Sequence, residues 1–118
     1  SVSALSAKLD VAHAKGCLPD VVIPVHFAGF VCDMAAMRQL ADKYGFKLIE
    51  DASHAAGASL DGYPVGSRFA DASVFSFHAV KVVTSAEGGM VTTQDDATAQ
   101  RLRLLRSHGI TRDSQLLS

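Results

Sequence analysis

The sequence has no tryptophan, only three prolines and only two cysteines in 118 residues. Each scarcity excludes something. Cys17 and Cys32 are too far apart for a CxxC pair, which argues against a zinc ribbon or a dithiol redox motif. Two unpaired thiols agree with a reducing cytoplasm, so that location is the expectation. Lysines and arginines form no run and the formal net charge is −1, leaving no footprint for nucleic acid or an anionic membrane surface. The apolar runs Val21–Val25 and Ala72–Phe77 fall far short of a membrane span. No signal peptide opens the chain, and Ser1 is not an initiator methionine, so the start reads as a cut or processed end. No linker, repeat or low-complexity tract divides it.

What is present is an ordinary globular composition. Hydrophobic residues make up 48% and charged residues 19%, which separates the chain from disordered sequences. Its length suits one small domain.

Hydrophobic periodicity then sets the order of elements. Val2, Leu5, Leu9 and Ala12 recur at helical spacing before Gly16, predicting a helix over about Ser3–Lys15. Val21–Phe27 follows as a β-branched run of the kind buried on both faces of a sheet. Asp33 is placed to cap a second helix carrying Met34, Met37, Leu40, Ala41 and Tyr44, with Gly45 beyond its end. Phe46–Glu50 reads as the next strand, and strand–helix–strand order implies a right-handed parallel crossover. Asp61-Gly62 between Leu60 and Tyr63 marks a tight hairpin. Val74–Phe77 is a third core strand and Met90–Thr93 a fourth, expected antiparallel. Asp95 or Asp96 then caps a helix holding Ala99, Leu102 and Leu105. The predicted class is α/β, a mostly parallel sheet with flanking helices.

In open α/β sheets ligands bind beyond the carboxyl ends of the strands. The polar residues predicted there are His26, Glu50, Asp51, Ser53, His54, Ser76, His78 and Lys81. Each also has an ordinary reading: a satisfied histidine, a turn-capping aspartate, a serine bonded to backbone, a solvated lysine. Taken together they suit two chemistries. Clustered His26, Asp51, His54 and His78 would suit a hydrolytic zinc site. Asp51, Ser76 and Lys81 instead match the needs of pyridoxal 5'-phosphate: a carboxylate for the pyridine nitrogen, a hydroxyl for the phosphate and an amine for the aldehyde.

Four motifs occur in order: IPVHFAG at Ile23–Gly29, IEDASHAAGA at Ile49–Ala58, VFSFHAVKVVTSAEGGM at Val74–Met90 and LRSHGITRD at Leu105–Asp113. Together they resemble the DegT/DnrJ/StrS family of pyridoxal-phosphate-dependent sugar aminotransferases. The likeness is strongest to the branch that aminates a UDP-4-keto-6-deoxy-N-acetyl-altrosamine on the route to pseudaminic acid. The resemblance implies the central part of a type I aminotransferase large domain. Lys81 then corresponds to the Schiff-base lysine, Asp51 to the partner of the pyridine nitrogen, Ser76 to the phosphate-binding serine and His54 to a residue beside the ring. L-Glutamate is the implied amino donor, a 4-keto sugar nucleotide the acceptor, and a homodimer the usual unit. Lys81 argues against the family's dehydratases, which carry histidine there.

Four positions depart from the family pattern: Ala79 where proline is expected, Ser85-Ala86 where Thr-Gly is expected, and Phe30 where a polar residue is common. The family's glycine-rich phosphate loop and its small domain have no counterpart in these 118 residues, so residues 1–118 read as a single partial domain. That reading predicts weak retention of the cofactor and self-association. It also keeps open an alternative, a catalytically silent module acting in binding or assembly.

Overall fold

The computed structural model describes residues 1–110. Helix α1 (Val2–Ala14) starts one residue before the predicted helix, because the Ser1 hydroxyl accepts the Ala4 amide and serves as its cap. Helix α2 (Met34–Tyr44) begins where the sequence predicts: the Asp33 carboxylate accepts the Ala36 amide at 3.0 Å. It ends on Gly45 in the left-handed conformation, whose amide bonds back to Ala41. The two helices pack together, tied at their surface by the Tyr44 hydroxyl donating to Asp10 at 2.5 Å.

Four strands form one sheet in the order β1 (Val21–Val22), β2 (Lys47–Asp51), β5 (Ala72–Ser76), β6 (Gly89–Thr92). The first three are parallel and β6 runs antiparallel to β5, as the pattern predicted. A separate two-stranded hairpin, β3 (Ser59–Leu60) and β4 (Tyr63–Pro64), turns at Asp61-Gly62. Both turn residues have positive φ, 51° and 80°, as a tight hairpin twisted to match its strands requires.

The first strand is a correction. The run Val21–Phe27 was expected as one strand buried on both faces. Regular pairing covers only Val21 and Val22, followed by an isolated parallel bridge between Val25 and Asp51. Pro24 interrupts the ladder because it has no N–H to give, although its carbonyl still accepts the Asp51 amide. Phe27–Gly29 is instead a turn of 3₁₀-helix with Ala28 at φ 55°.

Helices α1 and α2 cover one face of the sheet. Leu9, Met34, Ala41, Phe46 and Leu48 form the core there. A second, smaller cluster of Ala52, Ala55 and Phe75 lies under the following loops. The opposite face is open: the strand register puts Val21, Ile49, Val74 and Val91 on it, and Val21, Val74 and Val91 are exposed. Helix α3 (Asp96–Arg106) is capped by Asp95, whose carboxylate accepts the Thr98 amide at 2.7 Å, and it buries no residue fully. The end of the LRSHGITRD motif, positions 111–113, lies outside the described residues. No helix among the described residues is long and apolar enough to cross a membrane.

Candidate functional site

Side-chain alternation along β2 decides which groups share a face. Leu48 and Glu50 point into the covered side, so Asp51 points to the open side. Its register partner is Val74, two residues before Ser76 on β5, so Ser76 shares the face of Asp51 at the carboxyl end of the adjacent strand. Two predicted site residues therefore reach one rim from neighbouring strands.

Lys81 lies in the loop that joins β5 to β6. The loop closes on Phe77, whose amide donates to Gly88 and whose carbonyl accepts from the Ser85 amide at 3.0 Å and the Thr84 hydroxyl at 3.1 Å. A turn bonds the Lys81 amide to the His78 carbonyl at 2.9 Å. Val80 and Val82 are about four-fifths exposed, at 80% and 77%, whereas Lys81 between them is half-buried. Lys81 is thus less exposed than the two valines that flank it.

Asp51 is held ionised. The Ser53 hydroxyl and amide lower its pKa, the amide bond measuring 3.1 Å; burial opposes them, and His54 and Lys81 add electrostatic support. His54 accepts the Ala28 amide at Nδ1, 3.3 Å away, with the Phe27 ring edge-on at 5.9 Å between centroids. An Nδ1 that accepts leaves the ring proton on Nε2 in the neutral imidazole. The Ser76 hydroxyl oxygen accepts the His78 amide at 3.4 Å, leaving its own O–H free to donate.

The other rim histidines behave differently. His78 is exposed and faces Glu87 at 3.8 Å across the lysine loop. His26 was expected at the rim but is fully buried: its Nδ1 accepts the Cys32 amide at 3.3 Å and its Nε2 turns to Glu50, 3.6 Å away on the covered face. The zinc arrangement needed His26 beside Asp51 and His54. Among the described residues no three metal-binding side chains come together.

Glu50 was expected at the rim beside Asp51 but is buried on the covered face, where its carboxylate accepts the Ser73 hydroxyl and, at 3.0 Å, the Gly66 amide. Those bonds and His26 together lower its pKa against the opposing effect of burial. The signal was available: Glu50 has the same parity as Leu48 on a strand with one covered face.

A family model described as the DegT/DnrJ/EryC1/StrS aminotransferase family matches residues 5–117. Among solved structures, Helicobacter pylori PseC, an aminotransferase of pseudaminic acid biosynthesis, is 40% identical over 78% of this chain, with a TM-score of 0.73. DesI, solved with its TDP-sugar product, is 44% identical over 80% of the chain, with a TM-score of 0.75. A DegT/DnrJ/EryC1/StrS aminotransferase from Brucella abortus superposes over 97% of the chain at a TM-score of 0.87 and 28% identity, and 31% of its own length is covered. The chain spans about a quarter of PseC and DesI, 25% and 24% of their lengths.

Proposed function

The chain belongs to the DegT/DnrJ/EryC1/StrS aminotransferase family, and on that premise we propose that it is the lysine-bearing segment of an enzyme that uses pyridoxal 5'-phosphate to move an amino group from L-glutamate to a 4-keto sugar nucleotide. The observation that carries this reading is the meeting of three chemistries at one rim. Asp51 and Ser76 come from adjacent strand ends on one face, and Lys81, partly buried in the loop between β5 and β6, adds to the electrostatic support of the Asp51 carboxylate.

These residues fit the cofactor. An aspartate held ionised is the acceptor that a protonated pyridine nitrogen needs, Ser76 has a free hydroxyl proton for a phosphate oxygen, and Lys81 supplies a primary amine. When bound, pyridoxal phosphate supplies the aldehyde that carries the amino group and the ring that withdraws electrons from the reacting carbon. Lys81 would hold the cofactor through Nζ and, once displaced, would take and return the substrate proton at that same atom. Asp51 would keep the proton on the ring nitrogen. Ser76 would anchor the phosphate, and His54 would position the ring.

The acceptor is proposed to be a sugar nucleotide because DesI was solved with a TDP-sugar. A pseudaminic acid precursor is the specific choice that the PseC likeness supports. A homodimer with shared active sites is the proposed working unit.

Borohydride trapping tests the assignment. The chain has five lysines, Lys8, Lys15, Lys43, Lys47 and Lys81. Reduction with limiting pyridoxal phosphate, followed by peptide mapping, should place the label on Lys81, and Asp51→Asn should reduce that preference. Label spread evenly over the five lysines would sink the reading.

A further inference from the structure

Beneath the rim, on the covered face of the sheet, Glu50 is buried at 2% exposure between partners from three separate segments. The Ser73 hydroxyl of β5 and the Gly66 amide after β4 both donate to its Oε2, while Oε1 faces the fully buried His26 ring beyond β1. A glutamate placed there solely for packing would be a poor choice, since burial of a carboxylate costs unless every partner is in place. Its neighbours in the chain show what it controls.

Asp51, the next residue, is fixed by backbone on both sides. Its amide donates to Pro24 at 2.9 Å, and its carbonyl accepts the His26 amide at 3.0 Å. His26 therefore meets both halves of the Glu50-Asp51 pair: its amide donates to the Asp51 carbonyl, and its Nε2, a buried atom with no hydrogen-bond partner among the described residues, lies 3.6 Å from Glu50 Oε1. From His26 the chain enters the 3₁₀ turn Phe27–Gly29, and the Ala28 amide in that turn reaches Nδ1 of His54. The turn also presses on the His54 backbone: a Cβ on Gly29 would lie 3.3 Å from the His54 carbonyl oxygen. Ala28 sits at φ 55°, a conformation that an alanine keeps only where its surroundings impose it. The turn is bracketed by one contact, the Cys32 amide after it donating to Nδ1 of the His26 ring before it.

We propose that Glu50 and His26 are positioning residues: their buried pair sets the turn that fixes the His54 tautomer and pins the backbone that presents Asp51. This rests on the proposed function only for what Asp51 and His54 are used to do. Neither Glu50 nor His26 touches the rim itself.

The test needs no cofactor. Long-range ¹⁵N–¹H correlation spectra of the histidine rings in the 118-residue chain report which His54 nitrogen carries the proton. The expected result is one tautomer, with Nε2 protonated, in the unsubstituted chain and in Leu9→Ala, a core truncation under α1 that changes stability without touching the pair. Glu50→Gln and His26→Gln should both move the His54 signals toward the average of the two tautomers. If Glu50→Gln fails to fold, Ser73→Ala, which removes one bond to the same carboxylate, makes the comparison with Leu9→Ala. An unchanged His54 in whichever variants fold, or an equal change in Leu9→Ala, would overturn the proposal and leave the pair a purely structural element. Failure of labelling at Lys81 would instead remove the transaminase reading and leave this one standing.

Discussion

The Phe75 ring occupies the space where Gly66 would carry a side chain. A Cβ built on Gly66 falls 2.8 Å from the ring tip and 3.0 Å from the Thr92 hydroxyl, and Gly66 sits at φ 83°. The same residue gives its amide to Glu50. A single glycine thus lets the loop after β4 close over β5 and β6 and reach the buried carboxylate.

Gly66→Ala should therefore destabilise the chain by about 2–4 kcal/mol, combining overpacking against Phe75 with a left-handed backbone that alanine resists. Urea unfolding followed by circular dichroism measures this. A loss under about 0.5 kcal/mol would mean that the loop shifts freely.

Asp71 should make stability depend on acid pH. Burial would raise its pKa, but the Leu48 amide and the Lys47 and Arg38 side chains outweigh burial and hold it at about 2, against 3.8 ordinarily. The folded value is the lower one, so the contribution is fully present above pH 4 and fades as pH falls from about 4 to about 2. Its size is on the order of 1–2 kcal/mol after allowing for solvent screening. Asp71→Asn should lower stability at neutral pH and flatten the difference from the unsubstituted chain below pH 2, as unfolding curves at several pH values would reveal.

Ala86→Gly should stabilise the chain by about 0.5–1 kcal/mol. Ala86 stands at φ 69° in the lysine loop, where the family pattern has glycine, and an L side chain is strained there. Part of the relief is offset by the greater freedom of glycine in the unfolded chain. Thermal melts monitored by circular dichroism would measure the gain, and an unchanged or lower melting temperature would show that the loop does not strain at this residue.

Self-association is expected of the 118-residue chain through the open sheet face. Val21, Val74 and Val91 are exposed at 42%, 38% and 44% there, an apolar row that crosses the sheet from one edge strand to the other. Sedimentation at micromolar concentration should show dimers or larger species, and Val91→Lys on the edge strand should shift the population toward monomer. A monomer before substitution would contradict this.

The local rules were legible in the residues themselves. Asp33 and Asp95 begin helices and Gly45 ends one where their side chains or lack of one dictate, Asp61-Gly62 turns a hairpin, and the motif order carried the family and named Asp51, Ser76 and Lys81 as candidates. These signals are short in range, and each depends on a few neighbouring residues. What the sequence left undecided depends on contacts between distant segments. His26 is not a rim group because Glu50, twenty-four residues later, lies buried against it. Lys81 is only partly exposed in a loop that closes on Phe77, and the Val21 strand stops at Val22 because Pro24 cannot donate to the ladder formed with β2. How far a valine is covered was likewise settled by what lies over it: Val22 packs, partly buried, against the core under α1 and α2, while its neighbour Val21 is exposed on the other face. Alternation along a strand tells which residues share a face, and only the packed chain decides which face is closed.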